Sequence, residues 1–111
     1  MNRSKQKGTS WESAIRDYLR ATFWPHAERL PLSGSKDRGD IAGVAGCTIE
    51  AKSAARTELG VWINEVTIEQ ANAGTRLGVV WAKRRGKVSP AYGYVIMTGE
   101  QFVGLLHDAG Y

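Results

Sequence analysis

A chain of 111 residues, 42% apolar and 23% charged, suffices for one packed core and is too apolar to be disordered throughout. Its apolar runs, such as 77–82, fall far short of the roughly 18 residues of a membrane span, so no membrane partner is expected. The net charge of +4 comes from clustered cations at Arg3, Lys5 and Lys7, at Lys36 and Arg38, and at Lys83, Arg84, Arg85 and Lys87, which suit a polyanion; a solvated basic surface explains charge alone equally well.

Residues 1–8 read as a flexible basic arm ahead of a single domain over 9–111. The arm contains no apolar leader segment, which predicts a cytoplasmic protein. Thr9 with Glu12 fits a capping box opening a helix, on which Trp11, Ile15, Leu19, Thr22 and Phe23 recur at helical spacing until Pro25 ends it. Residues 28–32 read as extended and 33–39 as a polar, glycine-containing loop. Two short strands over 40–44 and 47–53 form a hairpin around Ala45 and Gly46. A second helix covers 62–73 and stops at Gly74. Strands over 77–83 and 92–97 bracket a basic loop, and Thr98 with Gln101 opens a last helix through His107. This order predicts an α/β domain with a mixed central sheet flanked by helices. Trp11, Trp24, Trp62 and Trp81 are expected in the core. Cys47, the single cysteine, reads as a small strand residue, and His26 and His107 belong to no metal-binding pattern.

The chemistry concentrates in Asp40 and in Glu50-Ala51-Lys52. Hydrolysis of a phosphodiester with magnesium needs hard oxygen ligands and a cation to offset transition-state charge, and an acid on one strand with Glu-x-Lys on the next supplies both. Glu50 and Lys52 share a strand face because side chains alternate. Asp40 joins them only if it pairs with Glu50, which a three-residue turn of Val44, Ala45 and a left-handed Gly46 achieves; a regular two-residue turn puts it on the other face. An ordinary surface ion pair with a solvated Asp40 fits the same spacing. Two inward-facing polar groups favour a site: Glu12 on the first helix, and Gln70 on a stripe with Ile63 and Val66.

From Lys7 through Glu12, Arg29, the Ser33-Gly34-Ser35 loop, Asp40, Glu50-Ala51-Lys52-Ser53 and Gln70 to Lys83-Arg84-Arg85-Gly86, the chain resembles the archaeal-type Holliday junction resolvases of the PD-(D/E)XK, restriction-endonuclease-like nucleases. Gly39 stands where the superfamily pattern has proline. The resemblance implies a homodimeric, magnesium-dependent DNA endonuclease, with manganese able to substitute, acting in DNA recombination and repair. In it Asp40 and Glu50 bind the metal, Glu12 supports the metal shell, Lys52 orients water or stabilises the transition state, and Gln70 orders the site. Arg29 and Ser35 then lie close to the scissile phosphate. Lys7, Lys36, Arg38, Lys83, Arg84, Arg85 and Lys87 are the expected DNA contacts. Nucleases of the same fold acting on flaps, ends or duplex DNA, and a non-catalytic basic DNA-binding module, are the alternatives.

Overall fold

The first helix, α1 (Arg3–Ala21), carries Trp11, Ile15 and Leu19 along one buried face, as their spacing of four predicts. The computed structural model describes residues 3–31 and 36–111, with side chains from residue 8 onward. Helical backbone reaches back to Arg3, into the stretch read as an arm, so Thr9 is interior and does not cap. Lysine, glutamine and arginine upstream of Thr9 are good helix formers, which lets the helix extend past the expected start. At the other end the helix closes before Phe23: Thr22 and Trp24 N–H groups both donate to the Leu19 carbonyl, at 3.2 and 3.0 Å. Phe23 is therefore 82% exposed, stacked edge-on with the partly exposed Trp24, and neither belongs to the core as expected.

The remaining elements are β1 (Glu28–Arg29), β2 (Ile41–Ala42), β3 (Cys47–Lys52), α2 (Leu59–Ala73), β4 (Leu77–Ala82), a 3-10 turn (Pro90–Tyr92), β5 (Tyr94–Ile96) and α3 (Gly99–Asp108). They build an α/β fold in which a five-stranded mixed sheet, ordered β1-β2-β3-β4-β5, is flanked by three helices. Among the described residues only β3 and β4 run parallel, joined through α2 because a parallel pair needs a crossover. Gly74 ends α2 in the left-handed conformation, as predicted.

Strand alternation sorts the two faces of the sheet. Ile49 and Val79, paired across β3 and β4, lie against α1 in a cluster with Trp11, Ile15, Leu19, Ala27 and Ile41. The next pairs along, Glu50 with Val80 and Lys52 with Ala82, face α2, where Val80 and Ala82 pack on Trp62 and Val66. Glu50 and Lys52 thus occupy the apolar face that α2 covers.

The β2–β3 hairpin reaches the predicted register by another route. Cys47 N–H donates to the Val44 carbonyl at 3.1 Å, so the turn has two central residues, Ala45 and Gly46, rather than three. Gly46 is left-handed as expected, with φ +77°. The odd residue is absorbed at Gly43, φ +96°, and Ile41 still pairs with Ile49, where the ladder stops: the Asp40 N–H donates to the Ile49 carbonyl at 2.8 Å. Gly43 also lies against the chain leaving α1: a Cβ there would stand 2.4 Å from the His26 carbonyl oxygen and 2.7 Å from Ala27 Cα, whereas one on Gly46 would meet nothing within 4 Å. Gly43→Ala is expected to destabilise the domain by about 3 kcal/mol through steric overlap added to backbone strain, and Gly46→Ala by only about 1 kcal/mol. Urea unfolding of the two variants checks this; equal losses would count against the register device.

Candidate metal centre

The centre is built where β3, α2 and the loop before β2 meet. Glu50 and Glu69 are 8% and 3% exposed, both far from the surface position ordinary for glutamate. One carboxylate oxygen from each of Asp37, Glu50 and Glu69 lies within 4.8 Å of the others. Asp37 accepts from Gly39 N–H at 2.9 Å, and its carbonyl accepts from the Asn72 amide of α2 at 2.9 Å, which pins this loop over the helix. Asp40 Oδ2 accepts from Ala51 N–H at 2.8 Å, holding that carboxyl against β3 at Glu50.

So many acids in one apolar recess resist ionisation. Burial, then the charge of Glu50, pushes the Asp40 carboxyl up to about 8, with Glu12 adding to the effect. Burial, then a side-chain hydrogen bond with Glu69 that Glu50 makes while protonated, pushes Glu50 up to about 9, against a smaller opposing pull from Lys52. Glu69 is raised as well, chiefly by burial. When both groups are ionised, Glu50 Oε2 and Glu69 Oε2 are buried with no hydrogen-bond donor. Orphaned, closely spaced carboxylate oxygens are the donor set a hard divalent cation takes, and a cation there removes both the repulsion and the unmet desolvation cost.

Lys52 completes the set. Its Nζ lies 2.7 Å from Glu65 Oε2 and 3.8 Å from Glu50 Oε1. Burial pulls its pKa down, but the Glu65 hydrogen bond and the charges of Glu50, Glu65 and Asp40 outweigh that and hold it above the ordinary lysine value. The group beside the carboxylates is therefore held as an ammonium.

Asp40, Glu50 and Lys52 converge, Asp40 through its hydrogen bonds to Ile49 and Ala51 of β3. Glu12 reaches the rim, close enough to act on Asp40, and is held at 3.0 Å by the Arg29 guanidinium, itself partly exposed. Gln70 does not reach the carboxylates. Its amide nitrogen donates to the Thr75 and Arg76 carbonyls, and its oxygen accepts from Gln101 Nε2 at 2.9 Å, while Gln101 Oε1 accepts from Gly78 N–H. Gln70 thus clasps α3 to the beginning of β4, and Gln101 is drawn into that clasp rather than back onto Thr98. Lys36, Arg38, Lys83, Arg84, Arg85 and Lys87 are exposed. Ser35 and the Lys7 side chain lie outside the described residues.

Glu69, Glu65 and Asp37 were not anticipated. Glu69 was legible in principle: Trp62, Val66 and Glu69, spaced i, i+4, i+7, form the buried face of α2. The stripe of Ile63, Val66 and Gln70 shares Val66 and differs from it by one residue of phase. Asp37 offered no such signal, since its position depends on how the loop folds over α2. Cys47 behaves as expected, its thiol pushed up to about 11 by burial and so unreactive.

Comparison with protein-family models, with curated proteins and with solved structures finds no match to this chain.

Raised carboxyl pKa values mean that the folded chain keeps protons which the unfolded chain releases above about pH 4, so the contribution of these groups to stability is greatest at low pH and is lost as pH rises through about 8 to 9. Without divalent ions, the melting temperature is expected to fall by at least about 5 °C between roughly pH 5.5 and pH 9, with Glu69→Gln flattening the slope. Magnesium should raise it at the alkaline end and leave the acid end unmoved. Calorimetry across pH checks both, and a flat profile without metal would refute the linkage.

Proposed function

We propose that this protein is a magnesium-dependent endonuclease of restriction-endonuclease-like fold, selective for DNA structure, with the four-way Holliday junction as its foremost substrate. The observation that carries this reading is the pair of orphaned, buried oxygens on Glu50 and Glu69, beside Asp40 and in line with an ammonium on the same strand. Carboxylates facing a phosphate would repel it without a cation between them. The geometry therefore favours a metal-using site over a module that merely binds DNA.

In this reading Asp40 and Glu50 hold the ion, with Glu69 and Asp37 lining the same recess. Magnesium, when bound, supplies Lewis-acid polarisation of the scissile phosphate. Lys52 offsets the charge that develops on the phosphate oxygens, and Glu65 keeps it charged and in place. Glu12 and Arg29 form a coupled pair at the rim, where the guanidinium can turn from Glu12 to a phosphate. Exposed cations on the Lys83–Arg85 stretch and at Lys36 and Arg38 track the backbone. A homodimer belongs to the same reading, because two-fold symmetry sets two sites on matching strands of a four-way junction. α3, which buries no residue yet carries Phe102, Val103 and Leu105, offers the apolar surface for it. Among the described residues no helix is long and apolar enough to cross a membrane.

Incubation with magnesium and a panel of labelled four-way junction, flap and linear duplex tests the activity. Glu50→Gln and Lys52→Ala should each lower cleavage about 100-fold or more, and Glu65→Gln about tenfold, with unchanged circular dichroism. Undiminished cutting by the first two variants would sink the assignment. Equal cutting of all three DNAs would place the substrate among ordinary duplexes instead.

A further inference from the structure

The sheet register sets Lys52 of β3, Ala82 of β4 and Tyr94 of β5 in one row on the face that α2 covers. Adjacent strands lie about 4.8 Å apart, so Lys52 and Tyr94 stand roughly 10 Å from one another with only the Ala82 methyl group between them. The hollow over that methyl group is a cavity of about 610 Å³, with Trp62 in its wall and Lys83 and Arg85 among its lining residues. Its size falls within the roughly 300–1,000 Å³ of pockets that enclose a small ligand.

Two features of the lining define what fits. The exposed ring of Tyr94 suits a flat, apolar-faced group, with the buried Trp62 backing the wall; Tyr94 is 56% exposed with the Arg84 guanidinium 5.8 Å from its ring centroid. Lys52, Lys83 and Arg85 line the cavity and, among the described residues, no Asp or Glu does; Lys52 is paired with Glu65, which leaves Lys83 and Arg85 to supply its positive charge. Among the described residues, neither Lys83 nor Arg85 has a carboxylate within 4.0 Å. The same two cations line an adjoining hollow of about 290 Å³ with Ser53 and Gly86, which continues the groove outward.

We propose that this cavity receives one unpaired nucleotide of the DNA, next to the scissile phosphate, with its base against Tyr94 and its phosphate between Lys83 and Arg85. A paired base has both faces stacked and its edge engaged, so it enters such a slot only after leaving the helix. A base already unpaired at a branch point or gap bypasses that cost, and stacking on an aromatic ring accepts any base. The cavity is thus a device for selecting DNA by structure and not by sequence. It rests on the reading that this face, with Glu50 and Lys52, meets DNA.

The test is fluorescence anisotropy without divalent metal, comparing a duplex that contains a short single-stranded gap with the fully paired duplex of equal length. Wild type should prefer the gapped DNA about tenfold, Tyr94→Phe should keep that preference, and Tyr94→Ala should reduce it to about twofold or less with an unchanged melting temperature. Equal binding of the two DNAs by wild type, or a preference that survives Tyr94→Ala, overturns the proposal. Self-association without DNA that Tyr94→Ala abolishes also overturns it, because a second copy then fills the cavity. Cleavage with magnesium, run in parallel, separates this proposal from the nuclease reading. A Tyr94-dependent preference with no scission supports the cavity and refutes the nuclease, whereas metal-dependent scission without preference does the reverse.

Discussion

Burying a carboxylate oxygen with nothing to satisfy it costs several kcal/mol, and this chain does so twice, at Glu50 and Glu69, on adjacent elements. The rest of the centre answers that strain. Asp40 is held against the same strand by a backbone N–H, Lys52 is charged and anchored by Glu65, and Asp37 is tethered over α2 through Asn72. Without a cation the group copes by holding protons well above the usual carboxylate range. With one, the protons become unnecessary. A site that is uncomfortable when empty is suited to recruiting a metal, because stabilisation on binding includes relief of the repulsion already present.

Convergence of these groups depends on parity in one short hairpin. A two-residue turn in a regular ladder would set Asp40 opposite Ala51 and send its carboxyl toward α1. Gly43 takes up one extra residue, restores the pairing of Ile41 with Ile49, and does so where the chain leaving α1 passes too closely for any side chain. Two demands, a positive φ and a close backbone approach, fall on one glycine. The electrostatics at Glu50 and the packing at His26 and Ala27 are consequently linked through a residue with no chemistry of its own.

The face that carries the centre is also the face that carries the cavity. Glu50 and Lys52 follow one another along β3; across the sheet their rows run through Val80 to Ile96 and through Ala82 to Tyr94. Both rows meet α2 at β4, through Val80 and Ala82, but the small Ala82 leaves a hollow toward Tyr94 in the second. Acidic recess and basic, aromatic-lined hollow are therefore neighbours by register, separated by the ammonium of Lys52.

Much of this was legible in the residues. Apolar pattern with capping and stop residues located the three helices and the central strands, and alternation placed Glu50 with Lys52 because it is a property of any strand. The Asp40 register was legible as a requirement, and the glycine that meets it was misplaced, at Gly46 instead of Gly43. Three things only the tertiary structure decided. The phase of α2 turned on whether Trp62 or Ile63 faces the sheet, a difference of about 100° that packing alone resolves, and it exchanged Gln70 for Glu69. The length of α1 and the exposure of Phe23 followed from where the chain turns back on Leu19. The approach of Asp37 depended on a loop whose path is set by contacts with α2. Local pattern determines how side chains are distributed around their own helix or strand; which of two adjacent stripes is buried, and what a loop meets, are settled by elements distant in the chain.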